Sequence, residues 1–169
     1  MLILMAGLPG SGKTTLCREL ASRLSGVVLN KDDIRTALFS PELIEYSTEQ
    51  DDFCQKVMLE TAEYIFAKHP ELRVFLDGRT FSKSYQIKQA IAAAEALKQP
   101  WRILECVCSV ETARQRLEAQ LGEHPAANRD YALYVRMKTG FEEITSKKTI
   151  IPTEQTLGVC VQLAQAALG

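Results

Sequence analysis

The chain has 169 residues, 46% hydrophobic and 24% charged, with a net charge of −1 and a pI near 6.2. That length and composition suit one domain, 1–169, built around a single buried core. The charge argues against extended nucleic acid as a partner, since a broad footprint needs a basic patch or stripe. No apolar run approaches the length of a membrane span, and the six residues before the first glycine are too short and uncharged for a signal peptide. Five scattered cysteines read as small apolar thiols, reduced in a cytoplasmic protein.

The apolar run Leu2-Ile3-Leu4-Met5-Ala6 predicts a buried strand, and Leu16, Leu20 and Leu24 predict a helix soon after it. Between them lies GLPGSGKTT, residues 7–15, which matches the phosphate-binding pattern G-x-x-x-x-G-K-[ST] in its strand–turn–helix setting. Gly7, Gly10 and Gly12 permit positive φ, so the backbone of this stretch, which also holds Leu8, Pro9 and Ser11, can curl its N–H groups around an anion. The helix start adds unpaired donors and a positive dipole end through Lys13, Thr14 and Thr15. Lys13 can reach the β- and γ-phosphates of ATP, and the Thr14 hydroxyl can ligate Mg²⁺. The whole stretch, including Leu8, Pro9 and Thr15, is the expected nucleotide site.

Val27-Val28-Leu29 predicts a short buried strand, ending at Asn30, and Ile34 and Leu38 carry a helix up to Pro41. Asp32 and Arg35, at i and i+3, share one helix face, whereas Asp33 is turned about 100° away. At a strand end Asp32 can take or orient the proton of an attacking hydroxyl, and Arg35 can grip an acceptor oxygen. A helix cap with a surface ion pair has the same spacing. Ser47 and Gln50 have capping-box spacing ahead of a long helix with Cys54, Met58, Ala62 and Ile65 on one face, stopped at His69-Pro70.

Residues 72–76 predict another buried strand, ending on Asp77. Asp77 can bind Mg²⁺ through water or cap the next segment; Arg79 falls equally to site or solvent. Helix spacing at Ile87, Ile91, Ala94 and Leu97 gives way at Pro100 to a strand over 101–108, then to a helix with Ala113, Leu117 and Leu121 inward. Residues 122–129 are polar and turn-rich, as in a lid loop. Arg116 beside them, Arg129 within them or Arg136 in the predicted helix 131–144 can close over the transferring phosphoryl group. His69 and His124 lack ligand spacing. A last strand at 149–151 and a helix over 156–168 complete the alternation, which predicts a parallel sheet with helices on both faces. Ligands of such sheets bind beyond the strands' carboxyl ends, where residues 7–15, 30–35 and 77–79 converge.

These segments resemble the kinase domain of polynucleotide kinases and related small P-loop kinases that phosphorylate hydroxyls. The likeness rests on GLPGSGKTT, NKDDIR, FLDGRT and ARQRLEAQ. It implies a P-loop NTPase fold, a five-stranded parallel sheet of order 2-3-1-4-5 with a small lid. It also implies ATP and Mg²⁺ as ligands, Asp32 as general base, Arg35 as acceptor-phosphate ligand and Arg116 as lid arginine. Such kinases commonly carry a second lid arginine where this chain has Gln120, a charge that Arg129 or Arg136 would then supply. The implied reaction is transfer of the γ-phosphoryl group to a hydroxyl of a small molecule, nucleotide or nucleic-acid end. Two other functions fit a P-loop: a nucleotide-gated binding protein with vestigial transfer, and a nucleoside monophosphate kinase.

Overall fold

The computed structural model describes residues 1–119 and 130–169. The strands are β1 (Leu2–Ala6), β2 (Val27–Asn30), β3 (Val74–Asp77), β4 (Trp101–Val107) and β5 (Thr149–Pro152). All neighbours run parallel, in the order β2-β3-β1-β4-β5. The helices are α1 (Lys13–Arg23), α2 (Lys31–Leu38), α3 (Thr48–Lys68), α4 (Ser84–Ala96), α5 (Val110–Ala119), α6 (Tyr131–Thr139) and α7 (Leu157–Leu168). This is the P-loop NTPase fold, with the strand order that the resemblance to small P-loop kinases implies.

β1 is buried on both sides because its alternating residues feed two cores. Leu2, Leu4 and Ala6 join Val74, Leu76 and Ile103 against Met58, Ala62 and Phe66 of α3 and Ile87, Ala90 and Ala94 of α4. Ile3 and Met5 join Phe75, Leu104 and Ile151 against Leu16 and Leu20 of α1 and Val161, Ala164 and Leu168 of α7. Each large aliphatic side chain so buried is worth about 1.5–3 kcal/mol relative to exposure. A third, small cluster of Ala113, Leu117 and Tyr134 seats α5 and α6 against Leu8.

Four local expectations change. β2 is half-buried along its length, because it is an edge strand of the sheet. Helix α6 ends at Thr139, not near 144. Gly140 caps it, and the chain then turns Ile144 and Phe141 into the core under α3 and α4. In the box that opens α3, Ser47 Oγ accepts from Gln50 N at 3.1 Å. The Gln50 side chain instead serves the preceding loop, donating to Leu43 O and accepting from Glu45 N. The α3 core face turns through Phe66 while Ile65 stays half-buried, since 3.6-residue periodicity drifts over a 21-residue helix. Leu121, His124 and the remaining readings over 120–129 lie outside the described residues.

All five cysteines are free thiols. Burial pushes the Cys17 thiol well above its usual range, with the negative charge of Asp77 adding to the shift. Burial likewise pushes Cys106 up to about 12. Neither thiol is a nucleophile near neutral pH.

Candidate active site

The loop after β1 has the conformation its glycines suggest: φ is +132° at Gly7, +76° at Gly10 and +80° at Gly12. At Gly7 no other residue fits, because a Cβ there would stand 2.3 Å from Cys106 O. Gly7 N donates to Thr80 O at 3.1 Å, which ties the start of the loop to the segment after β3. Lys13 is buried and folds back on the loop, donating to Gly7 O at 2.7 Å and Leu8 O at 2.9 Å. It also approaches Ser11 Oγ at 3.5 Å. Leu8 packs under the lid helices, Thr15 is exposed, and Pro9, Lys13 and Thr14 line an open cleft of about 590 Å³.

The end of β2 supplies the opposite wall. Asn30 caps α2, its Oδ1 accepting from Asp32 N at 2.9 Å and Asp33 N at 3.3 Å. With the cap supplied by Asn30, Asp32 is free to turn into the cleft while Asp33 is exposed. Arg35 Nη1 donates to Asp32 Oδ1 at 2.7 Å inside the protein, and Lys31 Nζ lies 3.4 Å from the same oxygen. The helix-face pairing read from the i, i+3 spacing is therefore present, as a buried pair. Arg35 is 1% exposed; its Nη2 bonds Asp51, and its guanidinium lies 5.1 Å from the Tyr46 ring centroid.

Register places Asp77 beside Asn30, whose Nδ2 donates to Asp77 Oδ2 at 2.9 Å. The close approach depends on Gly78: a Cβ there would meet Asn30 Oδ1 and Lys31 N at 2.8 Å, and its φ is +81°. Asp77 is fully buried, and its Oδ1 has no hydrogen-bond partner among the described residues. Such an orphan oxygen costs about 1–3 kcal/mol unless something fills its coordination. Magnesium or a magnesium-bound water suits it chemically, and the Thr14 hydroxyl suits the same ion.

Of the arginines expected at the lid, the two described ones lie apart. Arg136 is exposed and lines the cleft with Leu133 and Met137 of α6. Arg116 instead braces the outer side of the loop: its Nη2 donates to Thr153 O at 2.6 Å, and its Nη1 reaches Thr153 Oγ1 at 3.2 Å and Gly10 O at 3.4 Å. Thr153 in turn donates from Oγ1 to Ser11 O at 2.7 Å. Arg129 and Gln120 lie outside the described residues.

A family model described as an AAA domain matches residues 2–144, which include both walls of this cleft. The chain belongs to that AAA domain family. No curated protein matches the sequence. Among solved structures, Kti12 of Chaetomium thermophilum in complex with ADP-AlF3 superposes with a TM-score of 0.73 at 18% identity, covering 100% of both chains. A sugar kinase from a Janibacter species gives 0.71 at 16% identity, covering 99% of this chain and 93% of its own. The Mycobacterium tuberculosis APS kinase, in complex with AMPPNP and APS, gives 0.69 at 12%, covering 99% and 96%. At these identities the shared property is the fold.

The sequence reading missed Lys31 and Asp51, which meet in the cleft wall at 2.8 Å. Arg79, left undecided, is buried and lines the cleft; its Nη1 donates to Asp51 O at 2.8 Å, and its Nη2 pairs with Asp52. Asp52 also accepts from Tyr85 OH, at 2.9 and 3.0 Å to its two oxygens. Asp51 sits in the first turn of α3, where an acidic residue reads as dipole compensation. Only the crossing of α3 over α2 turns it into a site residue.

Proposed function

We propose that this protein is an ATP-dependent kinase that transfers the γ-phosphoryl group to a hydroxyl of a small molecule, nucleotide or nucleic-acid end. One observation carries the reading: Asp32 lines the same cleft as Lys13 and Thr14 and is held there by Arg35 and Lys31. The names of several structural neighbours, a sugar kinase and an APS kinase among them, support a kinase in general terms. Nucleotide stands in two neighbouring structures, as ADP-AlF3 and AMPPNP.

In this reading Lys13 exchanges the carbonyls of Gly7 and Leu8 for the β- and γ-phosphates, and the loop N–H groups hold the same oxygens. Thr14 and Asp77 would hold magnesium, which would supply positive charge to the polyphosphate. The acceptor hydroxyl sits against Asp32. As its oxygen bonds the γ-phosphorus, the bond from that phosphorus to the ADP oxygen breaks and the hydroxyl proton passes to Asp32. Arg136 faces the cleft and takes the lid role, neutralising charge on the transferring group. Arg116 holds Thr153 and Gly10 and steadies the nucleotide loop. A nucleotide-gated binding protein needs no acceptor-side carboxylate, and a monophosphate kinase has an acceptor that is already an anion.

Incubation with Mg²⁺ and γ-labelled ATP over a panel of sugars, polyols, nucleosides and 5′-hydroxyl oligonucleotides tests the reading. A labelled, alkali-stable phosphate ester on at least one acceptor is the expected product. ATP binding with no ester formed on any of them would move the assignment to the gated binding protein.

A further inference from the structure

The acceptor wall of the cleft holds three cations, and every one is already met by a carboxylate. Lys31 and Arg35 converge on Asp51 Oδ1, Arg35 also bonds Asp32, and Arg79 pairs with Asp52. Asp51 is the hub, since its backbone carbonyl also takes Arg79 Nη1 at 2.8 Å. Farther along the cleft, Lys83 meets Glu142 at 3.2 Å. Lys13 and Arg136 complete the cations on the described lining, and both belong to the polyphosphate side of the proposed reaction. With Lys31, Arg35 and Arg79 set against Asp32, Asp51 and Asp52, the acceptor wall carries no net formal charge.

An anionic acceptor placed on Arg35 would therefore come to rest beside two carboxylates that already hold that guanidinium. Like charges in a partly buried site repel strongly. The remaining groups on this wall are neutral hydrogen-bonding side chains: Thr48, Thr80, Ser82 and Gln86, with the rings of Tyr46 and Tyr85. Hydroxyls and amides beside aromatic faces suit a ligand rich in hydroxyls. The cleft, about 590 Å³, falls in the range of small-molecule sites.

Resting on the kinase reading above, we infer that Asp51 determines specificity. By neutralising Lys31 and Arg35 it selects an uncharged polyhydroxy acceptor of monosaccharide-to-nucleoside size over its anionic counterpart. Arg35 is in this account a positioning residue for Asp32 and not a ligand of an acceptor phosphate.

The test uses matched pairs: a hexose with its sugar acid, and a nucleoside with its 3′-monophosphate. Each is assayed for ATP-dependent phosphorylation, and for its effect on the melting temperature with AMPPNP and Mg²⁺. Wild type should phosphorylate the neutral member of at least one pair with kcat/KM tenfold or more above the anionic member. Asp51→Asn, which leaves Lys31 and Arg35 undercompensated, should shrink or reverse that ratio by at least tenfold. Asp51→Glu should restore it. Should Asp51→Asn fail to fold, Lys31→Gln gives the opposite reading, raising the preference for the neutral member. Preference for the anion in wild type, or a ratio unmoved by these substitutions, overturns the inference, as does the absence of both transfer to and binding of any neutral member. If neutral members raise the melting temperature without being phosphorylated, and Asp51→Asn moves that preference toward the anions, the kinase reading fails while the inference about Asp51 stands.

Discussion

In the proposed reaction Lys13 is stored before it is used. Its ammonium bonds two carbonyls of its own loop, an arrangement that keeps a nearly buried charge solvated by the backbone at little structural cost. Bound polyphosphate offers stronger, charged acceptors. Lys13→Ala should therefore weaken Mg·ATP binding and remove most turnover while the protein stays folded, which calorimetric titration and circular dichroism can check together. Equal ATP affinity in mutant and parent would sink the phosphate-site assignment. Asp32 and Asp33 show the complementary case, adjacent identical residues with separate fates. Asn30 takes over the capping of α2, so Asp32 points into the cleft and Asp33 stays in water.

At the scale of elements, the strands and helices that carry the site follow from hydrophobic period and turn chemistry. The β1–loop–α1 unit was legible because a single local segment encodes both its glycines and its lysine. The Asp32–Arg35 pair was legible because it lies within one helical turn. Lys31, Asp51 and Arg79 were not, since their meeting depends on α3 crossing α2 and on the path after β3, which no local spacing records. The lid shows the same limit. Arg116 and Arg136 are equally arginines on helices flanking a polar segment, yet α5 holds one against Thr153 and α6 turns the other into the cleft. Arg136→Ala should lower kcat on the order of 10³-fold with ATP affinity little changed. Arg116→Ala should act mainly on the KM for ATP. Steady-state kinetics on both variants separate them, and a kcat collapse confined to Arg116→Ala would reverse the assignment.

Across the whole molecule, two cores on opposite faces of one sheet hold three strand ends at a common edge, and the cleft is built there. No described helix is long and apolar enough to cross a membrane. Because ligand binding adds to the stability of the state that binds it, Mg·ATP at 100 times its Kd should add about 2.7 kcal/mol. For a domain of this size that raises Tm by roughly 5–10 °C. Asp77→Asn, which removes the charge from the carboxylate with the orphan oxygen, should lose the magnesium-dependent part of that rise in scanning calorimetry with and without EDTA. An undiminished magnesium effect would remove Asp77 from the metal site. In the proposed reaction Asp32 activates an acceptor hydroxyl across the cleft from the nucleotide. Single-turnover phosphoryl transfer to the acceptor identified by the panel, at saturating Mg·ATP, tests it most directly in wild type, Asp32→Asn and Asp33→Asn. The expected result is a loss of about 10²–10⁴-fold in Asp32→Asn with ATP affinity preserved, and an Asp33→Asn enzyme as fast as the parent. Unchanged transfer in Asp32→Asn, or a loss confined to Asp33→Asn, would contradict it.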